Sequence, residues 1–228
     1  LQGNLGKDRK DTGMMLKVFL ETFKNQKQKP GLIMKTSGAG FSILDREDIL
    51  SKIETVKETV KGDLPNVYLL HGDFTDEEMN ELYNQPKVKA HVNLTHGEGF
   101  GRPLLEASIS EKPIIASDWS GHTDFLFKDL AIMIKGSMSA VEKGSVPDDF
   151  LIDGSQWFTV NYRDASSAMK SVYKSYKKYT INAKKLGIIN KSKFSLNAMT
   201  REFGKILDKY VPEFAQEVKL QLPKLKKV

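Results

Sequence analysis

A glycine-rich loop at residues 97–103, with the sequence GEGFGRP, combines features that suit the binding of an anion. Gly99 and Gly101 permit positive φ angles and let the backbone come close to a ligand. Pro103 suits the first position of a helix, where a missing N–H costs nothing. The free N–H groups and the dipole of that helix start attract negative charge, and the guanidinium of Arg102 can meet a phosphate. The loop therefore predicts a phosphate-binding site.

Two glutamates accompany this loop. Glu98 lies within it, and Glu106 follows eight positions later on the predicted helix. Arg102 and Glu106 are four residues apart and share one helix face. They could therefore also form an exposed ion pair, which would contribute only ~0.3–0.5 kcal/mol. Phe100, between the two glycines, is expected to be partly buried.

Apolar runs typical of strands alternate with stretches of helical periodicity along most of the chain. Strands are expected at 1–5, 31–36, 67–70, 90–95, 113–117, 130–134 and 157–160. Helices are expected at 12–24, 45–61, 163–179 and 195–210, and Asp45 is the expected cap of the second. Two further helices are expected to begin after a capping box at 75–78 and at Pro103. Residues 135–155 are expected to form a long loop. This alternation predicts an α/β fold with a doubly wound, Rossmann-like parallel sheet.

In such a sheet, ligands bind outside the carboxyl ends of the strands. The candidate residues lie at these ends: Lys10, Gly72, residues 98–102 and residues 120–122. Their convergence favours a single site over scattered surface features.

The glutamate spacing also supports a family resemblance. Glu98, the sequence Gly99-Phe100-Gly101 and then Glu106 resemble the E-x7-E motif of retaining glycosyltransferases with the GT-B fold, in particular family 4. The continuation KPIIASD at 112–118, with Gly121 and Asp124, is similar to that family's KPVIASD…GG…E segment, with Asp124 where Glu is usual. The match runs in order over roughly 35 residues, which makes it far more specific than two glutamates alone.

The resemblance implies a donor site for a nucleoside-diphosphate sugar, UDP- or GDP-linked. It implies that Glu98 contacts the donor sugar near the reacting centre and that Glu106 accepts hydrogen bonds from ribose hydroxyls. It further implies transfer of a hexose with retention of configuration, no essential metal and no cofactor other than the donor substrate. The acceptor could be a glycan, a lipid or a protein.

Residues upstream complete the expected donor site. Lys10 falls where the family has the lysine of an Arg/Lys pair that holds the donor diphosphate, and Arg9 or Lys7 could supply the arginine. A solvated basic turn is the alternative. Gly72 and Phe74 lie in the turn that flanks the nucleotide base in the family, although Phe74 could equally be a core residue.

The resemblance covers one of the two domains that a GT-B enzyme needs, and the chain opens on Leu1 and not on methionine. We therefore expect the C-terminal half of a longer protein. Residues 1–211 are expected to form the nucleotide-sugar-binding domain. Residues 212–228 are expected to form a basic tail that contacts a missing N-terminal domain.

Composition bears on the cellular compartment and on the binding partners of the chain. The 228 residues include no cysteine, which excludes disulfides and fits a reducing, cytoplasmic compartment. The net charge of +6 comes largely from lysines in the last third of the chain. These could be a solvated helix face or could bind an anionic membrane surface at its periphery. No nucleic-acid partner is expected, because no known reader motif is present.

Rival functions remain open at this point. A sugar-nucleotide epimerase or a phosphorylase could use the same fold, since fold does not fix function. A non-catalytic nucleotide-sugar-binding module is a further alternative, although the intact Glu98 and Glu106 argue against it.

Overall fold

The computed structural model describes residue 5 and residues 8–37, 40–146 and 151–212. The chain divides into two compact units, Leu1–Lys191 and Ser192–Val228. The sequence led us to expect one domain through residue 211 and a tail after it. The strand predicted at 1–5 and the basic tail lie almost entirely outside the described residues.

The first unit alternates strands and helices, as predicted. Its described strands are β1 (Leu32–Lys35), β2 (Val67–Leu70), β3 (His91–Asn93), β4 (Ile114–Ser117), β5 (Ile132–Ile134), β6 (Gly136–Ala140) and β7 (Gln156–Val160). Its described helices are α1 (Thr12–Phe23), α2 (Ile43–Glu58), α3 (Asp76–Asn84), α4 (Arg102–Ile109), α5 (Tyr162–Lys174) and α6 (Tyr176–Lys193), with a 3-10 turn at Gly121–Asp124.

Parallel pairing dominates, which confirms the predicted α/β class. β1 pairs with β2, and β4 lies between β3 and β5 in a second parallel sheet. β4 is buried along its whole length, as its apolar sequence predicts for a strand that is covered on both faces. The carboxyl ends of β3 and β4 lie side by side, because Asn93 is in register with Ala116. The loops that follow these two strands therefore start next to each other.

The core lies between the sheets and the helices α1 and α5, which pack against each other. Leu16 and Leu20 of α1 are fully buried, and Ala165 and Met169 of α5 lie in the same core. Tight packing here fixes the start of α1, and this helix start holds the turn that carries Arg9 and Lys10.

Three local predictions were wrong. Helix α2 begins at Ile43 and its cap is Ser42, whose hydroxyl accepts from the Asp45 N–H. The segment predicted as a loop at 135–155 contains β6, which pairs antiparallel with β7. The helix predicted at 163–179 ends at Lys174, because Ser175 leaves the helical region with φ −126° and ψ 39°, and α6 then begins at Tyr176.

The second unit contains α7 (Leu196–Tyr210), which the sequence predicted. Its cap is Ser195, whose hydroxyl accepts from the Ala198 N–H. Apolar side chains at helical spacing, including Met199, Phe203 and Ile206, are exposed. No helix within the described ranges has both the length and the apolar character needed to cross a membrane.

The β6–β7 hairpin should depend on a glycine. A Cβ built on Gly136 would collide with the carbonyl oxygen of Thr159 on the paired strand. We expect Gly136→Ala to lower the free energy of unfolding by about 1–3 kcal/mol, measured by urea denaturation. Gly40→Ala is the matched control, because a Cβ there meets nothing within 4 Å. Equal stability of the two variants would contradict this account of the hairpin.

Candidate active site

Two loops that are distant in sequence meet at the carboxyl edge of the sheet. One is the turn before α1, which carries Arg9 and Lys10, and the other is the loop after β3. The backbone N–H of His96 donates to the carbonyl oxygen of Arg9 at 2.9 Å, and the hydroxyl of Thr95 donates to the same oxygen at 2.8 Å. The structure thus brings the predicted basic turn against the predicted glycine-rich loop.

Glu98 forms ion pairs with both cations of the basic turn. Lys10 Nζ lies 2.5 Å from Glu98 Oε1, and Arg9 Nη1 lies 3.3 Å from Glu98 Oε2. Arg9 Nη1 also donates to the carbonyl oxygen of Gly97. The carboxylate is largely buried, with 8% of its side chain exposed.

The ion pairs determine the charge of Glu98. Burial raises its pKa, but the hydrogen bond from Lys10 and the charges of Lys10 and Arg9 outweigh burial and hold the pKa below its usual value. Glu98 is therefore an ionised acceptor at neutral pH, and not an acid that could donate a proton.

The turn after β4 braces the Glu98 loop. Ser120 Oγ accepts from the Glu98 N–H at 2.8 Å, and the Gly121 N–H donates to the Glu98 carbonyl at 3.0 Å. A Cβ on Gly121 would collide with the carbonyl oxygen of Gly99, so the two turns can approach this closely only with glycine at 121. His122, fully buried, donates from Nε2 to the Ser117 carbonyl at 2.6 Å and is part of this packing.

The helices that follow the two site loops, α1 and α4, begin differently from α2, α3, α5 and α7. Ser42, Thr75, Asn161 and Ser195 cap α2, α3, α5 and α7 with side-chain oxygens. Within the described chain, α1 and α4 have no side-chain cap, and the residues at their cap positions, Asp11 and Gly101, adopt positive φ. The first N–H groups of α1 and the Arg102 N–H of α4 therefore keep the capacity to bind an anion.

The start of α4 differs slightly from the prediction. The helix begins at Arg102, so Pro103 is its second residue. The Gly101 carbonyl accepts from the N–H groups of Leu104 and Leu105. Phe100 is 43% exposed, and its ring packs against the buried Phe125 at 5.2 Å, so it is only partly buried, as expected.

Arg102 and Glu106 contact each other. Arg102 Nε lies 2.8 Å from Glu106 Oε1, and the arginine side chain is 75% exposed. Tyr83 also donates to Glu106 Oε2 at 3.3 Å. The ion pair holds the two side chains on the outer face of α4, and their predicted roles as substrate ligands stay predictions.

Gly72 and Phe74, in the turn after β2, contact Lys35 at the carboxyl end of β1. Lys35 Nζ donates to the Gly72 carbonyl at 3.2 Å and lies 5.0 Å from the centre of the Phe74 ring. Lys35 is 9% exposed, so most of its side chain is covered by this turn. Their predicted contact with a nucleotide base stays a prediction.

Sequence reasoning missed a buried acid beside the basic turn. Asp11 Oδ2 accepts from the Tyr162 hydroxyl at 2.7 Å, and Asp11 Oδ1 lies 3.9 Å from Nε2 of His96. Burial raises the pKa of Asp11 to about 7, with further increases from Asp8 and Glu142 and an opposing effect of the Tyr162 hydrogen bond. No signal in the sequence could find this pair, because 151 positions separate the two residues.

Comparisons with solved structures find glycosyltransferases whose fold is similar to that of this chain. A glycosyltransferase from Rickettsia africae ESF-5 matches with a TM-score of 0.57 and 16% identity over 92% of this chain and 46% of that one. Anabaena HepE in complex with UDP and glucose matches with a TM-score of 0.61 and 11% identity over 91% of this chain and 47% of that one. The C-terminal domain of LpcC, a group 1 family glycosyl transferase from Francisella tularensis, matches with a TM-score of 0.53 and 14% identity over 81% of this chain and 80% of that domain.

These matches define the fold. The chain has the fold of the C-terminal domain of GT-B glycosyltransferases, which confirms the fold that the sequence resemblance implied. It spans about half the length of the Rickettsia and Anabaena structures. The sequence itself matches no family model and no curated protein sequence.

The pKa of Asp11 predicts a pH dependence of stability. Between its ordinary value of 3.8 and about 7, the folded chain keeps a proton that the unfolded chain releases, so the free energy of unfolding should fall as pH rises through this window. Asp11→Asn should remove this contribution to the slope, measured by urea unfolding from about pH 4 to about pH 8.

A substitution of an exposed aspartate tests whether the pH dependence of stability comes from Asp11. Asp48→Asn changes an aspartate whose side chain is 55% exposed and should leave the slope of the parent in place. If Asp11→Asn also keeps the parent slope, the proton is not held by Asp11.

Proposed function

We propose that this chain is the donor-binding half of a glycosyltransferase. The proposed reaction transfers a hexose from a nucleoside-diphosphate sugar, UDP- or GDP-linked, to an acceptor hydroxyl with retention of configuration. The reaction would need no essential metal. The observation that carries the proposal is the buried Glu98 carboxylate between Lys10 and Arg9, at the edge of the sheet where a GT-B C-terminal domain presents its loops.

The cations of the basic turn suit a diphosphate. Lys10 and Arg9 supply two positive charges next to the uncapped starts of α1 and α4. Negative charge accumulates on the diphosphate as the bond to the sugar breaks, so fixed cations and N–H groups at this position would stabilise the transition state. In the proposed complex both cations turn toward the phosphates and loosen their hold on Glu98.

Glu98 would then be free to bind the sugar. An ionised carboxylate accepts hydrogen bonds from sugar hydroxyls and stabilises positive charge near the anomeric carbon. The brace from Ser120 and Gly121 fixes the backbone of Glu98 while its side chain changes partners. The chain would thus use one carboxylate as a counter-ion before the donor arrives and as a sugar ligand afterwards.

Nucleotide binding gives the first test. We expect UDP or GDP to bind the chain in isothermal calorimetry, and Lys10→Ala to weaken binding by roughly 1.5–3 kcal/mol through loss of one charge-assisted contact. Lys24→Ala is the matched control, because Lys24 is also ion-paired, to Glu21 at 2.6 Å, but lies at the far end of α1. If the folded protein binds neither UDP nor GDP at millimolar concentration, the proposal is wrong.

Kinetics of a longer protein that joins this chain to an acceptor-binding domain give the second test. Glu98→Gln should lower kcat far more than it lowers nucleotide affinity, since its proposed role is at the sugar. Glu106→Gln should mainly weaken nucleotide binding, because the resemblance puts Glu106 at the ribose. Unchanged turnover of the Glu98→Gln protein would remove Glu98 from the catalytic residues. Analysis of the product anomer separates a transferase from an epimerase or a phosphorylase.

A further inference from the structure

Both tryptophans of the chain lie near the Glu98 loop. Trp119 follows β4 directly, and Trp157 lies in β7. The Trp157 ring stacks on His96 with 3.8 Å between ring centres, and the Trp119 ring stacks on Phe158 with 5.6 Å between centres. The β6–β7 hairpin, which the sequence did not predict, therefore contributes Trp157 and supports the Trp119 ring through Phe158.

Trp119 is placed differently from a core aromatic. It is 44% exposed, whereas Phe158 beneath it is 7% exposed. A Cβ on Gly97 would lie 3.9 Å from Cδ1 of the indole, so the exposed ring borders the residue that precedes Glu98. Across the described residues, the indole N–H of Trp119 has no hydrogen-bond partner in the protein, which leaves one donor free beside the site.

The turn that carries Trp119 is held in an unusual conformation. Ser120 adopts φ 73° and ψ −163°, a region that is costly for a residue other than glycine. This conformation directs Ser120 Oγ to the Glu98 N–H at 2.8 Å. The Asp118 N–H on the other side of Trp119 donates to the Ile134 carbonyl at 2.9 Å. The backbone of Trp119 is thus fixed on both sides, and its indole stacks on Phe158.

We propose that Trp119 is a platform on which a sugar ring packs while Glu98 holds its hydroxyls. This inference rests on the proposed function and extends it to the residue that positions the sugar. A pyranose presents a face of C–H groups that can cover an aromatic surface, and hydroxyls at its rim that can accept from the indole N–H. A half-exposed indole that borders the loop of an ionised carboxylate suits both parts of such a ring.

The ring could belong to the donor or to a second sugar beside it. Fluorescence can separate these sources because the chain has only two indoles. In Trp157→Phe, Trp119 is the sole indole, and its emission reports its surroundings directly. The titrations use UDP, UDP-glucose, and UDP followed by free glucose, with GDP and GDP-mannose as the alternative set.

The expected result is a blue shift of the Trp119 emission that appears only when a sugar is bound. A shift with UDP-glucose that UDP alone does not produce supports the proposal and assigns the ring to the donor. A shift that requires UDP followed by glucose supports the proposal and assigns the ring to a second sugar. Trp119→Phe is the matched control, in which any shift caused by Trp119 must vanish.

Affinities give an independent readout. If the ring belongs to the donor, Trp119→Ala should weaken binding of the nucleotide sugar by roughly tenfold; if it belongs to a second sugar, the variant should weaken binding of glucose by the same factor. In both cases the affinity for UDP should stay within about twofold of the parent value. Trp119→Phe keeps an aromatic face and should recover part of the loss. Trp157→Phe should bind as the parent does.

The failure of this inference is distinct from failure of the proposed function. If UDP or GDP binds but no sugar changes the Trp119 emission, Trp119 is not a sugar platform and the donor-site proposal stands. If neither nucleotide binds the folded chain, the donor-site proposal falls and this inference falls with it.

Discussion

The contact between the turn before α1 and the loop after β3 is the constraint on which the candidate site depends. One carbonyl oxygen, that of Arg9, accepts from both the backbone of His96 and the hydroxyl of Thr95. This pair of bonds sets Arg9 and Lys10 opposite Glu98, although 88 positions separate Lys10 from Glu98. The packing of α1 on α5 fixes one partner, and the side-by-side ends of β3 and β4 fix the other.

The Glu98 carboxylate contacts both cations of the basic turn and offsets one of their two positive charges. A buried ion pair is weak evidence for stability, because desolvation offsets much of the attraction. What the ion pairs do here is hold both cations in position at this edge of the sheet. Asp11 lies next to the basic turn, and its raised pKa lets it remain partly neutral near pH 7, so it adds less than a full negative charge there.

The sequence predicted the parts of the site that depend on local chemistry. The glycines and the strand ends follow from backbone geometry and hydrophobic periodicity, which act over a few residues, whereas Glu98 was singled out by the family resemblance. The parallel α/β fold follows from the order of those elements. The bounds of most strands and helices differ from prediction by only a few residues, as with β1 and α7.

The missed features depend on contacts between distant segments or on weak patterns. Tyr162 and Asp11 pair only because α5 packs on α1, and β6 exists because Gly136 lets its backbone approach β7. The break at Ser175 carries no proline or glycine, so periodicity alone runs through it. Arg102 shows the limit of a motif: the same spacing that suits a phosphate ligand also suits the ion pair with Glu106 that the structure contains.

Hydrogen bonds that the fold leaves unmade also help to locate a site. Four helices of the described chain complete their first turns with a side-chain oxygen, so the sequence had the means to cap α1 and α4 in the same way. Instead these two helices begin with a residue at positive φ, and they are the two that follow the Arg9–Lys10 turn and the Glu98 loop. An uncapped helix start costs about 0.5–2 kcal/mol relative to one with a good cap. Such a cost is tolerated where the free N–H groups gain a better partner, and the anion proposed for this site would be such a partner.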